Sequence, residues 1–208
     1  MKGDQPEPTR LRSRFAWSAG LTAIGITARA AWRMRVDDGA GYPEPPFVLA
    51  ANHHSFLDPL LIGAAYGSRV RFIALTDLFG HHRFVDWAMD SFEVITIRRG
   101  TVPLGPMRRS LQHLAEGGVV GLFPEGTRVD RFGDRALLPG AAWLATRAGV
   151  PLVAVAVTGT DQVLGVDNKL HRGRVGVIVG PTLHPRGTGR DAVDDLTRRW
   201  QEWVNTVV

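Results

Sequence analysis

The chain has 208 residues, of which 44% are apolar and 22% charged, and it contains no cysteine. Those proportions exclude a disordered, collagen-like or polytopic membrane protein, and the missing thiols exclude a disulfide framework, a thiolate metal site and a cysteine nucleophile. Residues 1–35 hold seven basic and two acidic side chains and so carry the whole net charge of +5, while the remaining 173 residues balance at 18 against 18. A nucleic-acid partner would call for a basic face on the folded body, so none is expected. A basic segment at one end fits anionic lipid headgroups instead.

In chain order, the first feature is the uncharged run 15–28 between Arg14 and Arg29. As a helix it spans about 21 Å, short of the roughly 30 Å hydrocarbon core, which argues against a transmembrane span. A basic start, this run and Ala28-Arg29-Ala30 resemble the regions of a signal peptide, but Asp4 and Glu7 sit in the wrong place for one. The expectation is an interfacial helical arm over 1–38, with Trp17 and Trp32 at headgroup depth and Arg flanks for phosphates. The alternative is an ordinary helix packed on the body. Gly39, Gly41, Pro43, Pro45 and Pro46 mark 39–46 as a linker, leaving 47–208 as the main domain.

Within that domain short apolar runs alternate with helix-like stretches. Strands are expected at 47–51, 71–75, 93–97, 119–123, 152–157 and 174–179, and helices at 58–66, 77–89, 104–116, 140–148 and 191–206. Residues 119–123 and 152–157 are apolar throughout, as strands covered on both faces are. The predicted fold class is α/β, a largely parallel central sheet flanked by helices, with the N-terminal helical arm contacting the membrane. Active groups in such a sheet lie in the turns beyond the strand ends. Two segments fall there: Asn52-His53-His54-Ser55-Phe56-Leu57-Asp58 and Pro124-Glu125-Gly126-Thr127-Arg128.

His53 and Asp58 are five apart, a spacing that fits neither a helix face nor a strand face, so a turn must join them. A carboxylate on one ring nitrogen fixes the tautomer and raises the basicity of the other, which can then take a proton from a hydroxyl. Ser55-Phe56-Leu57-Asp58 also reads as a capping box opening the helix at Pro59, and the two roles are compatible if they use different carboxylate oxygens. Gly126 permits close backbone approach to a ligand, Thr127 offers a hydroxyl, and Arg128 offers a fork for phosphate. Arg98-Arg99 ends the third expected strand and is a second possible phosphate contact. There is no Gly-x-Ser-x-Gly elbow and no Walker loop. Gly187-Thr-Gly-Arg-Asp-Ala192 spells a dinucleotide fingerprint, but the 16 residues after it cannot complete a βαβ unit. A metal-dependent hydrolase with His53, His54 and Asp58 as ligands remains an alternative from another class.

Four blocks together resemble the lysophosphatidic acid acyltransferase-like (PlsC-like) glycerolipid acyltransferases. They are Asn52-His53-x4-Asp58, Glu93-Val-Ile-Thr-Ile-Arg-Arg99, Phe123-Pro-Glu-Gly-Thr-Arg128 and Val150-Pro-Leu-Val-Ala-Val155, in that family's order. Arg98, Val129 and Ala154 depart from residues common in the family at those places, and bear on the substrate more than on the reaction. The resemblance implies acyl transfer from acyl-CoA or acyl-carrier protein to a lysophospholipid hydroxyl, most simply that of 1-acyl-glycerol-3-phosphate. It implies His53 as general base, Asp58 as its orienter, and Arg99, Glu125, Gly126, Thr127 and Arg128 as the acceptor's phosphate and glycerol site. The fourth block would line the acyl side. A thioester is already activated, so no metal or cofactor is expected. The implied location is peripheral, on the cytoplasmic face of the cell membrane.

Overall fold

The computed structural model describes residues 10–39, 41–75, 95–97 and 104–208. Its elements in chain order are α1 (Arg10–Trp32), β1 (Arg35–Asp37), β2 (Phe47–Ala51), α2 (Asp58–Tyr66), β3 (Arg71–Leu75), β4 (Ile95–Ile97), α3 (Leu104–Ala115), β5 (Val119–Leu122), α4 (Gly140–Ala148), β6 (Leu152–Thr158), α5 (Thr160–Leu164), β7 (Gly176–Leu183) and α6 (Gly189–Val204). The helix expected at 77–89 and the pair Arg98-Arg99 lie outside the described residues.

The strands form one sheet in the order β1-β7-β6-β2-β5-β3-β4. Five neighbouring strands, from β6 through β2, β5 and β3 to β4, run parallel. β7 runs antiparallel to β6, and β1 runs parallel to β7. Every residue of β2 is buried, because its two faces feed two cores. Phe47, Leu49 and Ala51 pack with Leu61 and Ile62 of α2 and Ala28 of α1. Val48 and Ala50 pack with Leu114 of α3, Leu144 of α4 and Leu196 and Trp200 of α6. Alternating directions along a pleated strand require this division.

Three features differ from the reading of the sequence. Arg35–Asp37, expected inside the arm, is a strand on β7, and Ala28 and Met34 are buried in the first core. The last turns of α1 are thus packed into the body, and β1 follows after Arg33 and Met34. The final strand runs past the expected end at residue 179, through Gly180 and Pro181. Those two lie opposite an irregularity between Val153 and Val155 of β6, where the extra residue in β7 accommodates the missing proline N–H. A side chain at Gly180 would strike the Trp203 ring, so the glycine lets α6 close on the sheet. α5 is a single short helix that apolar periodicity is too brief to reveal.

Candidate active site

His53 follows the carboxyl end of β2, and its position is set by the residue before it. The fully buried Asn52 side chain donates from Nδ2 to the Val157 carbonyl at 2.8 Å and accepts the Val157 N–H on Oδ1 at 2.7 Å. The amide thereby copies a backbone ladder pair and pins the end of β2 to β6 at the point where the chain leaves the sheet. Nothing in the order of residues revealed this role. Its sequence signal was a lone amide at the end of an otherwise apolar strand.

Beyond Asn52 the chain turns back on itself around one carboxylate oxygen. Asp58 Oδ2 accepts from His53 Nδ1 at 2.8 Å, from the His54 N–H at 2.7 Å and from the Ser55 N–H at 2.8 Å. The turn therefore joins His53 and Asp58 as their spacing required. The expected division between the two oxygens is not what is found: Oδ2 makes all three bonds, and Oδ1 is buried without a partner. The capping box is also incomplete. Asp58 is the first residue of α2, Leu57 occupies the cap position, and the Ser55 hydroxyl accepts from the Leu57 N–H at 3.1 Å. Three donors converging on one oxygen immobilise the fully buried carboxylate. With Nδ1 donating to Asp58, His53 Nε2 carries the lone pair, and the ring is stacked on Phe123 at 4.0 Å between centroids.

Phe123 belongs to the second turn, and the two turns are laced together. Glu125 Oε2 accepts the His53 N–H at 2.6 Å, the Val129 N–H donates to the His53 carbonyl at 3.0 Å, and His54 Nδ1 lies 2.8 Å from the Val129 carbonyl. Among the described residues no group of three or more His, Asp or Glu side chains is arranged to hold a metal ion. Gly126 sits at φ +72°, the left-handed region, with Leu138 against the place a Cβ would occupy.

Glu125 is buried, and its Oε1 has no partner. Burial pushes its carboxyl up to about 8; the His53 N–H opposes this, and the nearby Asp58 and Asp134 charges add to it. At neutral pH the group is largely a neutral acid able to donate. Arg128 lies over the Phe56 ring at 3.5 Å, and one guanidinium nitrogen donates to the Gly165 carbonyl at 3.3 Å and to Asn168 Oδ1 at 3.0 Å. Burial pushes the Arg128 guanidinium down from its ordinary value, with Asp58 opposing. Thr127 is half-buried in the same turn. The site thus brings together His53, Asp58, Glu125, Gly126, Thr127 and Arg128, while Arg99 is not among the described residues.

A family model described as Acyltransferase matches residues 33–158, a span that contains both turns. The chain belongs to the Acyltransferase family. Across 187 residues it is 26% identical to a 1-acyl-sn-glycerol-3-phosphate acyltransferase of Pseudomonas aeruginosa, covering 85% of this chain and 72% of that protein. Across 145 residues it is 30% identical to the chloroplastic 1-acyl-sn-glycerol-3-phosphate acyltransferase of Arabidopsis thaliana, covering 68% of this chain but 40% of that protein. The crystal structure of the 1-acyl-sn-glycerophosphate acyltransferase PlsC from Thermotoga maritima shares the fold at a TM-score of 0.70 and 22% identity, over 96% of this chain and 83% of that one. The α/β architecture expected of a PlsC-like family member is therefore the one observed.

Proposed function

We propose that this chain is an O-acyltransferase that moves a fatty acyl group from a thioester donor, acyl-CoA or acyl-carrier protein, to the free hydroxyl of 1-acyl-glycerol-3-phosphate, giving phosphatidic acid. The observation that carries the reading is the 2.8 Å contact between His53 Nδ1 and Asp58 Oδ2, which leaves Nε2 as a base beside the Glu125–Arg128 turn. The names of the similar proteins support the acceptor and product.

In this mechanism Nε2 of His53 takes the proton of the acceptor hydroxyl as its oxygen attacks the thioester carbonyl. The tetrahedral intermediate collapses with cleavage of the carbon–sulfur bond, and the imidazolium returns its proton to the leaving thiolate. Asp58 holds the ring and balances its transient charge. General-base help of this kind contributes about 10²–10⁴-fold, the remainder coming from positioning and from donors to the oxyanion. No enzyme nucleophile, metal or cofactor is required, because the thioester is already activated.

Arg128 and Arg99 are assigned to the acceptor phosphate, with Glu125, Gly126 and Thr127 around its glycerol. A neutral Glu125 suits that place: it adds no repulsion to a phosphate dianion, and its proton can be offered to an acceptor oxygen. The part of the arm ahead of the buried Ala28 is assigned to an anionic membrane surface, with the protein peripheral on the cytoplasmic face, while residues 28–37 belong to the core and the sheet. No helix among the described residues is long and apolar enough to cross a membrane.

The deciding experiment incubates the protein with mixed lysolipids and either oleoyl-CoA or oleoyl-carrier protein, and identifies products by mass. Phosphatidic acid from lysophosphatidic acid is expected, and none from a His53→Ala variant. Preferential acylation of another lysolipid, or no product with either donor, overturns the reading.

A further inference from the structure

The segment between α5 and β7 is irregular but not loose. Leu164 and Leu170 form an antiparallel bridge, the His171 N–H donates to the Val163 carbonyl at 2.8 Å, and the Asn168 N–H donates to the Gly165 carbonyl at 3.1 Å. Asn168 turns the chain at φ +57°, and Asp167 Oδ1 accepts the Lys169 N–H at 3.1 Å. A loop knitted this tightly ordinarily presents polar residues at its tip. This one holds out Val166, 41% exposed, and Leu170, 66% exposed.

Cations accompany the two apolar side chains along the same segment. Lys169, Arg172 and Arg174 are exposed, against the single acid Asp167, which lies 4.0 Å from His171 Nε2. Lys169 is one of two lysines in a chain whose other 23 bases are arginine. The loop also reaches the site. Its Gly165 carbonyl and Asn168 side chain are the two groups that Arg128 grips, and it follows the carboxyl end of β6, whose Val157 is clamped by Asn52.

We infer that the 165–174 loop is a lipid-contacting finger that seats Val166 and Leu170 among the headgroups of an anionic bilayer beside Arg128. Exposed aliphatics flanked by bases are the composition that interfacial segments use, with apolar burial and charge attraction acting together. A protein partner would call for a groove or a large apolar patch, whereas the loop exposes two aliphatic side chains among bases. The consequence is that the surface from which a lysolipid is drawn lies next to the arginine assigned to its phosphate. The choice of lipid rests on the proposed acceptor, but the contact is measurable without turnover.

The chain's lack of cysteine permits a direct test on the full-length protein. Leu170→Cys and Glu116→Cys are each labelled with an environment-sensitive nitrobenzoxadiazole, the second as a control just before β5, at the amino-terminal ends of the parallel strands and away from the carboxyl end of β6. Each is mixed with vesicles of equal parts phosphatidylglycerol and phosphatidylcholine, or of phosphatidylcholine alone. Emission at position 170 should rise several-fold and shift to the blue with the anionic vesicles, and much less with neutral ones, while position 116 stays unchanged. A silent probe at 170, whether or not the chain sediments with the vesicles, overturns the inference, as does an equal response at both positions. A Val166→Ser/Leu170→Ser variant should lose several-fold in rate on bilayer-borne lysophosphatidic acid and keep its rate on a short-chain soluble acceptor. Equal loss on both would make the loop part of the acceptor site and overturn the finger. If the parent protein turns over neither acceptor, the proposed reaction fails while the probe result stands.

Discussion

Asp58→Asn isolates the central claim about the site. Asp58 Oδ2 gathers three N–H groups, one from the His53 ring and two from the backbone of His54 and Ser55. The amide retains one carbonyl oxygen of nearly the same shape, so the two backbone donors can stay satisfied. What it cannot retain is the negative charge facing Nδ1, or the certainty that an acceptor rather than an NH2 group faces the ring. Exchanging a charged for a neutral acceptor on these bonds costs about 1–2 kcal/mol of stability. The cost in the transition state is larger, since an imidazolium forms against a dipole instead of an anion and the wrong tautomer competes. The corresponding change in serine-protease triads lowers kcat about 10⁴-fold; a looser, two-member site should fall by about 10²–10⁴-fold, or roughly 3–5 kcal/mol. The assay is thiol release from acyl-CoA with acceptor varied to saturation, alongside urea unfolding of the same preparation. The expected result is a collapse of kcat with acceptor KM nearly unchanged and the unfolding midpoint only slightly lowered. A variant that keeps its kcat within about threefold, less than 1 kcal/mol, would refute the dyad and reduce Asp58 to an organiser of the turn.

Other outcomes follow from neighbouring residues. Asn52→Ala strips both bonds from Val157 and should cost about 2–4 kcal/mol in denaturant unfolding; Asn52→Asp keeps the acceptor for the Val157 N–H but sets an oxygen against its carbonyl, and should also lose kcat through a displaced His53. Burial lifts the Glu125 carboxyl from an ordinary value of 4.5 to about 8 in the folded chain, so its contribution to stability is complete below 4.5 and is lost as pH rises to 8. Denaturant titrations should show the parent losing stability relative to Glu125→Gln across that window, by at most about 1.4 kcal/mol per pH unit; a constant difference would place the carboxyl in water. Gly126→Ala forces a Cβ onto a left-handed backbone for about 1–2 kcal/mol, and pushes on the mobile end of Leu138. Arg128→Lys should raise acceptor KM with donor KM little altered, because an ammonium cannot reproduce the fork; equal losses for both substrates would deny it the phosphate.

Local chemistry determined a large part of this protein. The all-apolar runs that became β5 and β6, the glycine-stopped helices α2 and α4, and the two polar turns after β2 and β5 are all readable because each depends on residues close in sequence. The pairing of His53 with Asp58 was readable for the same reason: five residues allow few geometries. What only the tertiary structure decided are relations between residues far apart. The clamp from Asn52 to Val157, the lacing of His53 and His54 to Glu125 and Val129, the grip of Arg128 on Asn168 and the adoption of Arg35–Asp37 by β7 join segments 40 to 141 positions apart, which no periodicity encodes. The neutral state of Glu125 is likewise a property of its surroundings. The side chain announces an acid, and burial beside other carboxylates, set by the crossing of two turns, is what holds the proton on it.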